Sequence, residues 1–516
     1  MLHLLCLPCR LRARDFFSLV MALLLCSAAH SQQISCPVTN SLTISNLASN
    51  NSNPCEVQAG SSVATAPGAT FTNTPGALLI NDFGASLINN GTLINNGGIT
   101  NNGSLTSGGS IDNNAGASLT VMGTGILTLN GSGSLNNGGG IFNGGSLDIN
   151  GTLTNNGGGT LATISGGSLS LGGAIFNNGS LTTGTGGSLA ITATGTLNNN
   201  STNVIGGSLA NGGAIDNNAG ASLTVMGTGI LTLNGNGTLN NGGGIFNGGS
   251  LDINGTLTNN GGGTLATISG GSLSLGGAIF NNGSLTTATG GSLAVLGTGT
   301  LNNSGSLANA GALTINGTLN NGAGSSFLQT AGQLTLSGNG VINSLPAVQL
   351  QGGGLLGDGS ITGNVNNSGG NIEPTFLPGA PPALTINGSY AQGSGGTLII
   401  DLGGTGGGQF GALDVSGGVT LDGTVDFTTV NGFTPGAGDT FTFLQFGSLA
   451  GDSAKIDFTN WICPVGDTCT EVAGANRLTL EIEPAAPTPE PSTVLLLGTG
   501  IFALACRFKK RAHAKT

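Results

Sequence analysis

Aliphatic residues recur at even intervals through the middle of the chain. In the stretch SLINNGTLINNGGITNNGSLTSGGSID they fall every six residues, at Leu87, Leu93, Ile99, Leu105 and Ile111. Elsewhere the interval widens to eight and so remains even. Because strand side chains alternate between two faces, an even interval returns each aliphatic to the same side, whereas a helix would need positions i, i+3, i+4 and i+7. The pattern predicts many short β-strands.

Asn-Asn-Gly and Gly-Gly groups separate these predicted strands and supply the backbone angles that sharp corners require. One short strand cannot bury enough surface, but coils stacked about 4.8 Å apart can bury a continuous aliphatic column. We therefore predict an all-β fold, a parallel β-helix (β-solenoid) with roughly 18 to 24 residues per coil and asparagine ladders at its corners. Disorder is the alternative for so glycine-rich a chain, but the regular aliphatic spacing argues against it.

A longer repeat lies over the short one. Residues 112–190 recur as residues 216–294, a shift of 104 residues, and only three of the 79 positions differ. This near identity indicates a recent internal duplication.

The N-terminus has the pattern of a secretory signal peptide. Arg10, Arg12 and Arg14 precede an apolar run that leads into small residues. Lipid attachment at Cys26 is the alternative, although the bulky Leu25 before it disfavours that chemistry. We expect export of the chain.

The C-terminus carries a second membrane-directed pattern. Pro489, Glu490 and Pro491 precede an apolar run that begins at Val494 and ends at Cys506, shorter than the roughly 20 residues of a spanning helix. A basic cluster follows, made of Arg507, Lys509, Lys510 and Arg511. Basic residues of this kind stay on the cytoplasmic side of a membrane.

This tail resembles the PEP-CTERM sorting signal. The resemblance implies transient insertion of a short transmembrane helix into the inner membrane of a Gram-negative bacterium. It also implies cleavage near the Pro-Glu-Pro triplet by an exosortase-type enzyme, and delivery to the cell surface or the exterior. A plain tail anchor, retained in the membrane, is the alternative.

A second resemblance covers residues 352–444, with strand-and-glycine segments such as GGGLLGDGSITGNV and LDVSGGVTLDGTVDF. This stretch is similar to the C-terminal passenger region of autotransporter-type proteins, which implies a parallel β-helix with a stabilising end section. The predicted regions are then a signal peptide (1–31), an N-terminal cap (32–75), the β-solenoid (76–351), a passenger-like β region (352–483) and the sorting signal (484–516).

Charge and cysteine content narrow the chemistry. Residues 32–488 hold 19 acidic residues, no histidine and only two basic residues, Lys455 and Arg477, so we expect no nucleic-acid partner and no histidine-based catalysis.

Four cysteines remain between the two signals, an even number that suits an oxidising compartment. Three pairings are conceivable, and proximity favours two disulfides; a metal site is the rival interpretation. The four are Cys36, Cys55, Cys463 and Cys469.

Catalytic and ligand sites receive weaker support. The duplicated acids Asp112 and Asp148 could suggest the carboxylate pair of a polysaccharide-degrading enzyme, but a repeated surface residue is the simpler explanation. Four further acids match no calcium-loop spacing, namely Asp401, Asp414, Asp422 and Asp426. Clustered phenylalanines after residue 426, together with Tyr390 and Trp461, are expected to cap the fold rather than form a carbohydrate platform.

The sequence thus predicts a structural or adhesin-like β-solenoid of the bacterial envelope or biofilm matrix, without enzymatic activity or cofactor. The alternatives are a polysaccharide-binding or ice-binding protein, and after them a polysaccharide-degrading enzyme. Expected partners are the sorting enzyme and extracellular polysaccharide.

Overall fold

The computed structural model describes residues 32–50, 54–375, 384–450, 463–484, 497–505 and 507. The predicted signal peptide lies outside these residues. The described chain is almost entirely β-strand, and most strands have four residues with alternating burial, in which the second and fourth side chains point inward. This alternation is the period-two pattern expected from the aliphatic spacing.

The strands are β1 (Gln32–Gln33), β2 (Leu42–Ile44), β3 (Leu47–Asn50), β4 (Cys55–Val57), β5 (Ser62–Thr65), β6 (Thr70–Asn73), β7 (Leu78–Asn81), β8 (Ser86–Asn89), β9 (Thr92–Asn95), β10 (Gly98–Asn101), β11 (Ser104–Ser107), β12 (Ser110–Asn113), β13 (Ser118–Val121), β14 (Ile126–Leu129), β15 (Ser134–Asn137), β16 (Gly140–Asn143), β17 (Ser146–Ile149), β18 (Thr152–Asn155), β19 (Thr160–Thr163), β20 (Ser168–Leu171), β21 (Ala174–Asn177), β22 (Ser180–Thr183), β23 (Ser188–Ile191), β24 (Thr196–Asn199), β25 (Thr202–Ile205), β26 (Ser208–Asn211), β27 (Ala214–Asn217), β28 (Ser222–Val225), β29 (Ile230–Leu233), β30 (Thr238–Asn241), β31 (Gly244–Asn247), β32 (Ser250–Ile253), β33 (Thr256–Asn259), β34 (Thr264–Thr267), β35 (Ser272–Leu275), β36 (Ala278–Asn281), β37 (Ser284–Thr287), β38 (Ser292–Val295), β39 (Thr300–Asn303), β40 (Ser306–Asn309), β41 (Ala312–Ile315), β42 (Thr318–Asn321), β43 (Ser326–Gln329), β44 (Gln333–Leu336), β45 (Val341–Ser344), β46 (Val348–Leu350), β47 (Gly354–Gly357), β48 (Ser360–Thr362), β49 (Val365–Asn367), β50 (Asn371–Pro374), β51 (Leu384–Asn387), β52 (Tyr390–Gln392), β53 (Thr397–Leu402), β54 (Leu413–Thr420), β55 (Thr424–Thr429), β56 (Thr440–Ala450), β57 (Asp467–Ala473) and β58 (Arg477–Pro484). Residues 497–505 and 507 are helical.

Each coil contributes three strands, and every third strand pairs in parallel with its equivalents in the coils before and after it. We call the three resulting sheets face one (β3, β6 and so on to β54), face two (β4, β7 and so on to β52) and face three (β2, β5 and so on to β53, followed by β55). In the regular coils up to β45, paired inward residues are 18 to 24 positions apart, as in Leu93↔Ile111 and Ile111↔Leu135. The predicted parallel β-helix is confirmed, and its coils have the predicted length.

Two kinds of corner join the strands and explain the intervals of six and eight. A four-residue strand and a two-residue corner give six, and a strand with a four-residue turn gives eight. The second residue of the short corner is usually glycine, because a Cβ on Gly109 would lie 2.0 Å from the carbonyl oxygen of Gly91 in the adjacent coil. Many of the longer turns contain a glycine with positive φ, such as Gly116 (φ 82°).

Inside the solenoid, the second strand position forms aliphatic columns, whereas the fourth position differs between faces. On face three that position is mostly Leu, Ile or Val, and on face one it is asparagine in 13 consecutive coils. These residues form the inner asparagine ladder: Asn73, Asn95, Asn113, Asn137, Asn155, Asn177, Asn199, Asn217, Asn241, Asn259, Asn281, Asn303 and Asn321.

The inner asparagine ladder is continuously hydrogen-bonded. Each Nδ2 donates to the Oδ1 of the next member at 2.6–2.8 Å. The same amide also donates to the backbone carbonyl of the first residue of the face-two strand in the following coil, as from Asn95 Nδ2 to Ser118 O at 2.8 Å. All members are at most 1% exposed, so these bonds satisfy amides that would otherwise be costly to bury. An asparagine ladder was predicted at the corners, and the structure places this one inside the solenoid, on the last residue of each face-one strand.

The 104-residue shift between the two copies equals five complete coils. Leu127 reaches Leu231 through five successive face-three pairings, at residues 147, 169, 189, 209 and 231. Each duplicated residue therefore lies on the same face as its copy.

The C-terminal end departs from this regularity. Strand β54 covers faces one and two together, and β56, β58 and β57 form an antiparallel end section. Regular stacking also extends beyond the predicted 76–351 boundaries, since β2 pairs with β5 and β50 with β53.

Candidate functional site

Most of the predicted sorting tail lies outside the described residues. This holds for Pro489, Glu490, Pro491, Val494, Cys506, Lys509, Lys510 and Arg511. The described part is helical, with large apolar side chains exposed to 60–75%: Leu497, Ile501, Phe502 and Leu504. Arg507, the first basic residue of the predicted stop, is exposed. The expected membrane-spanning helix does not appear among the described residues, none of whose helices is long and apolar enough to cross a bilayer.

Two disulfides join the four cysteines between the signals. Cys36 is bonded to Cys55, where the first coils stack, and Cys463 is bonded to Cys469 at the start of β57. The structure therefore brings together the same pairs that sequence proximity favours. One disulfide lies at the N-terminal end of the solenoid and the other lies in the C-terminal end section.

The duplicated aspartates lie on different faces. Asp112 is on face one and accepts a hydrogen bond from Asn136 Nδ2 at 2.8 Å, whereas Asp148 is on face three near Ser146 Oγ (3.5 Å). Their copies, Asp216 and Asp252, repeat this arrangement. A glycosidase needs its two carboxyl groups on either side of one bond. Asp112 and Asp148 do not converge in that way.

The four acids considered for calcium are also dispersed. Asp414 pairs with Thr385 on face one, Asp401 and Asp426 lie on face three, and Asp422 accepts a hydrogen bond from Gly423 N at 2.9 Å. Within the described residues, no group of three or more His, Cys, Asp or Glu side chains is arranged to hold a metal ion.

Glu373 and Asp401 form an acidic pair near the C-terminal end. Partial burial raises the pKa of both carboxyl groups, and the charge of Asp401 raises the pKa of Glu373 further. A hydrogen bond from Thr428 acts in the opposite direction on the pKa of Asp401. The pKa of Glu373 therefore lies above its ordinary value of 4.5, and the pKa of Asp401 lies above its ordinary value of 3.8.

Because the pKa values of Glu373 and Asp401 are raised, we expect the free energy of unfolding to be higher at mildly acidic pH than at neutral pH. Just above the ordinary pKa values the folded chain binds more protons than the unfolded chain, so the free energy of unfolding falls as pH rises through this window. Thermal unfolding between pH 4.5 and 7 should show this slope, and Glu373→Gln should reduce it. Asp148→Asn is the charge-matched control. An unchanged slope in Glu373→Gln would contradict the assignment.

The C-terminal aromatic residues pack inside the end of the solenoid. Phe427 meets Phe443 edge-on with ring centroids 5.1 Å apart, and Phe410 meets Phe441 at 5.4 Å. Tyr390 is buried, and its hydroxyl donates to Gln392 Oε1 at 2.6 Å. These contacts agree with the capping interpretation, whereas Trp461 lies outside the described residues.

An uncharged strip on face one was not predicted from the sequence. Six outward residues are paired in register through six consecutive coils, and we call them the outer strip: Phe280, Asn302, Asn320, Asn343, Thr362 and Asn387. Asn343 Nδ2 donates to Asn320 Oδ1, and Asn320 Nδ2 donates to Asn302 Oδ1, both at 2.9 Å. Their sequence separations of 18 to 25 residues alternate irregularly, so only the pairing register brings them into line.

A groove of about 490 Å³ lies at the C-terminal half of the outer strip. Its walls include Asn343, Thr362 and Asn387, together with Leu345, which is 79% exposed. Here the corner between faces one and two is Leu345-Pro346-Ala347 instead of the two-residue glycine corner. All of the groove's lining residues are uncharged.

Comparison with known proteins identifies the motif in the tail. No curated protein sequence matches the chain. Among solved structures, the chain is similar to a hyper-glycosylated TibA fragment, modified by TibC, with 22% identity over 60% of this chain and 97% of the fragment, and a TM-score of 0.24. Residues 487–511 match the PEP-CTERM protein-sorting motif, as the tail resemblance predicted. The chain thus carries a PEP-CTERM motif, a signal for exosortase-type processing and for export to the cell envelope or extracellular space.

Proposed function

We propose that this protein is a structural, adhesin-like rod of a Gram-negative bacterial envelope or biofilm matrix, and that it performs no enzymatic reaction. The observation that carries the proposal is the combination of a sorting motif at residues 487–511 with a long, stacked solenoid. A rod whose coils contact only their neighbours extends a surface away from its point of attachment. Export by the sorting motif and the elongated solenoid therefore both serve to present a surface outside the cell.

The surface charge supports a structural role. Residues 83–357 contain four aspartates and no lysine, arginine or histidine. A surface of this kind offers few charges for contacts with phosphate groups, and it leaves the duplicated aspartates as isolated solvated groups. The separation of Asp112 and Asp148 on two faces supports the non-enzymatic proposal.

Polysaccharide binding is a second candidate function, favoured by the outer strip. Ice binding receives less support, because the outward third positions of face one mix phenylalanine, asparagine, aspartate and threonine instead of a regular threonine ladder.

Sorting is tested at the tail. Replacing Pro489, Glu490 and Pro491 with alanine should leave the precursor in the inner membrane, because the triplet marks the processing site. Protein recovered from the surface of wild-type cells should end close to the triplet, as checked by C-terminal peptide mapping. A triple-alanine control at His513, Lys515 and Thr516 lies beyond the matched motif and should be processed normally. Mature surface protein that still carries the basic cluster would instead indicate a tail anchor.

A further inference from the structure

We propose that the outer strip and its groove bind an uncharged polysaccharide chain that lies along the solenoid axis. The strip crosses six consecutive coils, so it is about 24 Å long at the usual strand spacing. This binding rests on the second candidate function and is independent of the sorting tail, because the strip lies within residues 280–387.

The asparagines of the outer strip present oriented hydrogen-bonding groups. An asparagine amide has two N–H donors and an oxygen with two lone pairs. Within the strip, Asn320 uses one donor toward Asn302 and accepts one bond from Asn343. These bonds fix the amide planes and leave further donor and acceptor capacity facing solvent. Sugar hydroxyl groups, which both donate and accept, match such a row.

Apolar contacts flank the amides. Phe280 is 43% exposed at one end of the strip, and Leu345 is 79% exposed at the groove. Ligand sites typically combine apolar walls with a few placed polar groups in clefts of this size. The C–H faces of sugar rings fit the phenylalanine ring and the leucine side chain.

The charge distribution selects an uncharged ligand. The six strip residues and all groove-lining residues are neutral. Residues 32–488 as a whole carry 19 acidic and two basic residues, so an anionic polysaccharide would meet repulsion without compensating cations. A neutral polysaccharide avoids this cost.

The duplication supplies a natural comparison. Phe176 and Asn198 lie 104 residues before Phe280 and Asn302 and on the same face. Beyond Asn198, however, the next outward residue on this face is the charged Asp216, which begins the second copy and is followed by Asn240. The uncharged strip therefore begins in the second copy and continues after it, and the first copy has no equivalent strip.

The test uses the full chain, purified in a non-ionic detergent and immobilised, with dextran, galactomannan and hydroxyethyl cellulose as neutral probes and alginate as the anionic probe. At least one neutral polysaccharide should bind, and alginate should not. Phe280→Ala and Asn343→Ala should each weaken the apparent Kd by roughly tenfold, the equivalent of about 1.4 kcal/mol. Phe176→Ala and Asn198→Ala, the matched controls, should change it by less than about twofold.

Failure of this proposal is distinguishable from failure of sorting, since binding is measured on purified protein. Binding to none of the neutral probes, preference for alginate, or equal losses in Phe280→Ala and Phe176→Ala would each overturn it. Circular dichroism of every variant shows whether a loss comes from unfolding, and the exposed Leu345→Ser substitution provides a second variant that leaves the coil stack intact.

Discussion

Replacing Asn199 with alanine is expected to lower the free energy of unfolding by about 3 kcal/mol, because two neighbours lose buried partners. Asn199 accepts from Asn177 Nδ2 at 2.8 Å and donates to Asn217 Oδ1 at 2.8 Å and to Ser222 O at 2.9 Å. Alanine removes these bonds and breaks the inner asparagine ladder near its middle. Urea unfolding of the wild-type and variant chains measures the change.

The adjacent residue is the control for this substitution. Asn198 lies in the same strand, β24, but points outward and is half-buried. Asn198→Ala should change the free energy of unfolding by less than about 0.5 kcal/mol. Similar effects of the two substitutions would show that the ladder does not stabilise the solenoid.

Replacing Asn203 with leucine is expected to stabilise the protein by about 2–4 kcal/mol. Asn203 is fully buried in the aliphatic column of face two, between Leu181 and Leu223. Neither its Oδ1 nor its Nδ2 has a hydrogen-bond partner among the described residues. Leucine removes the cost of this unsatisfied amide and adds buried apolar area. The shift in the urea midpoint measures the gain.

The position 104 residues further along the chain provides the reciprocal experiment. Leu307 lies 104 residues after Asn203 in the same face-two column and is fully buried. Leu307→Asn should destabilise the protein by a similar amount, because it creates the same unsatisfied amide in a matched position. A stability loss in Asn203→Leu, or a neutral Leu307→Asn, would contradict this account.

The regular part of the fold could be predicted because one physical requirement repeats. Leu87, Leu93 and Ile99 must all point inward, and only strands return side chains to one face at an interval of six. The number of strands per coil could not be deduced in this way, because corners of two and four residues alternate without a fixed order. The number of strands per coil depends on which corners lie above one another in successive coils.

The candidate site was harder to predict for the same reason. The inner and outer asparagines are adjacent in sequence, as Asn302 and Asn303 are, and have similar composition around them. Their roles separate only when the register places Asn303 in the inner ladder and Asn302 against Phe280 and Asn320. Separations of 18, 22 and 24 residues between asparagines were the signal that could have revealed the inner asparagine ladder.

The spacing of 104 residues between the two copies equals five whole coils, and it makes the length of the rod adjustable by recombination. Unequal exchange between two nearly identical gene segments adds or deletes residues 112–190 together with the linking coil, in a unit of 104 residues. Because the unit contains complete coils, the inner asparagine ladder and the aliphatic columns rejoin in register after each exchange. A lineage can therefore extend or shorten its reach from the cell in steps of about 24 Å without inventing a new interface.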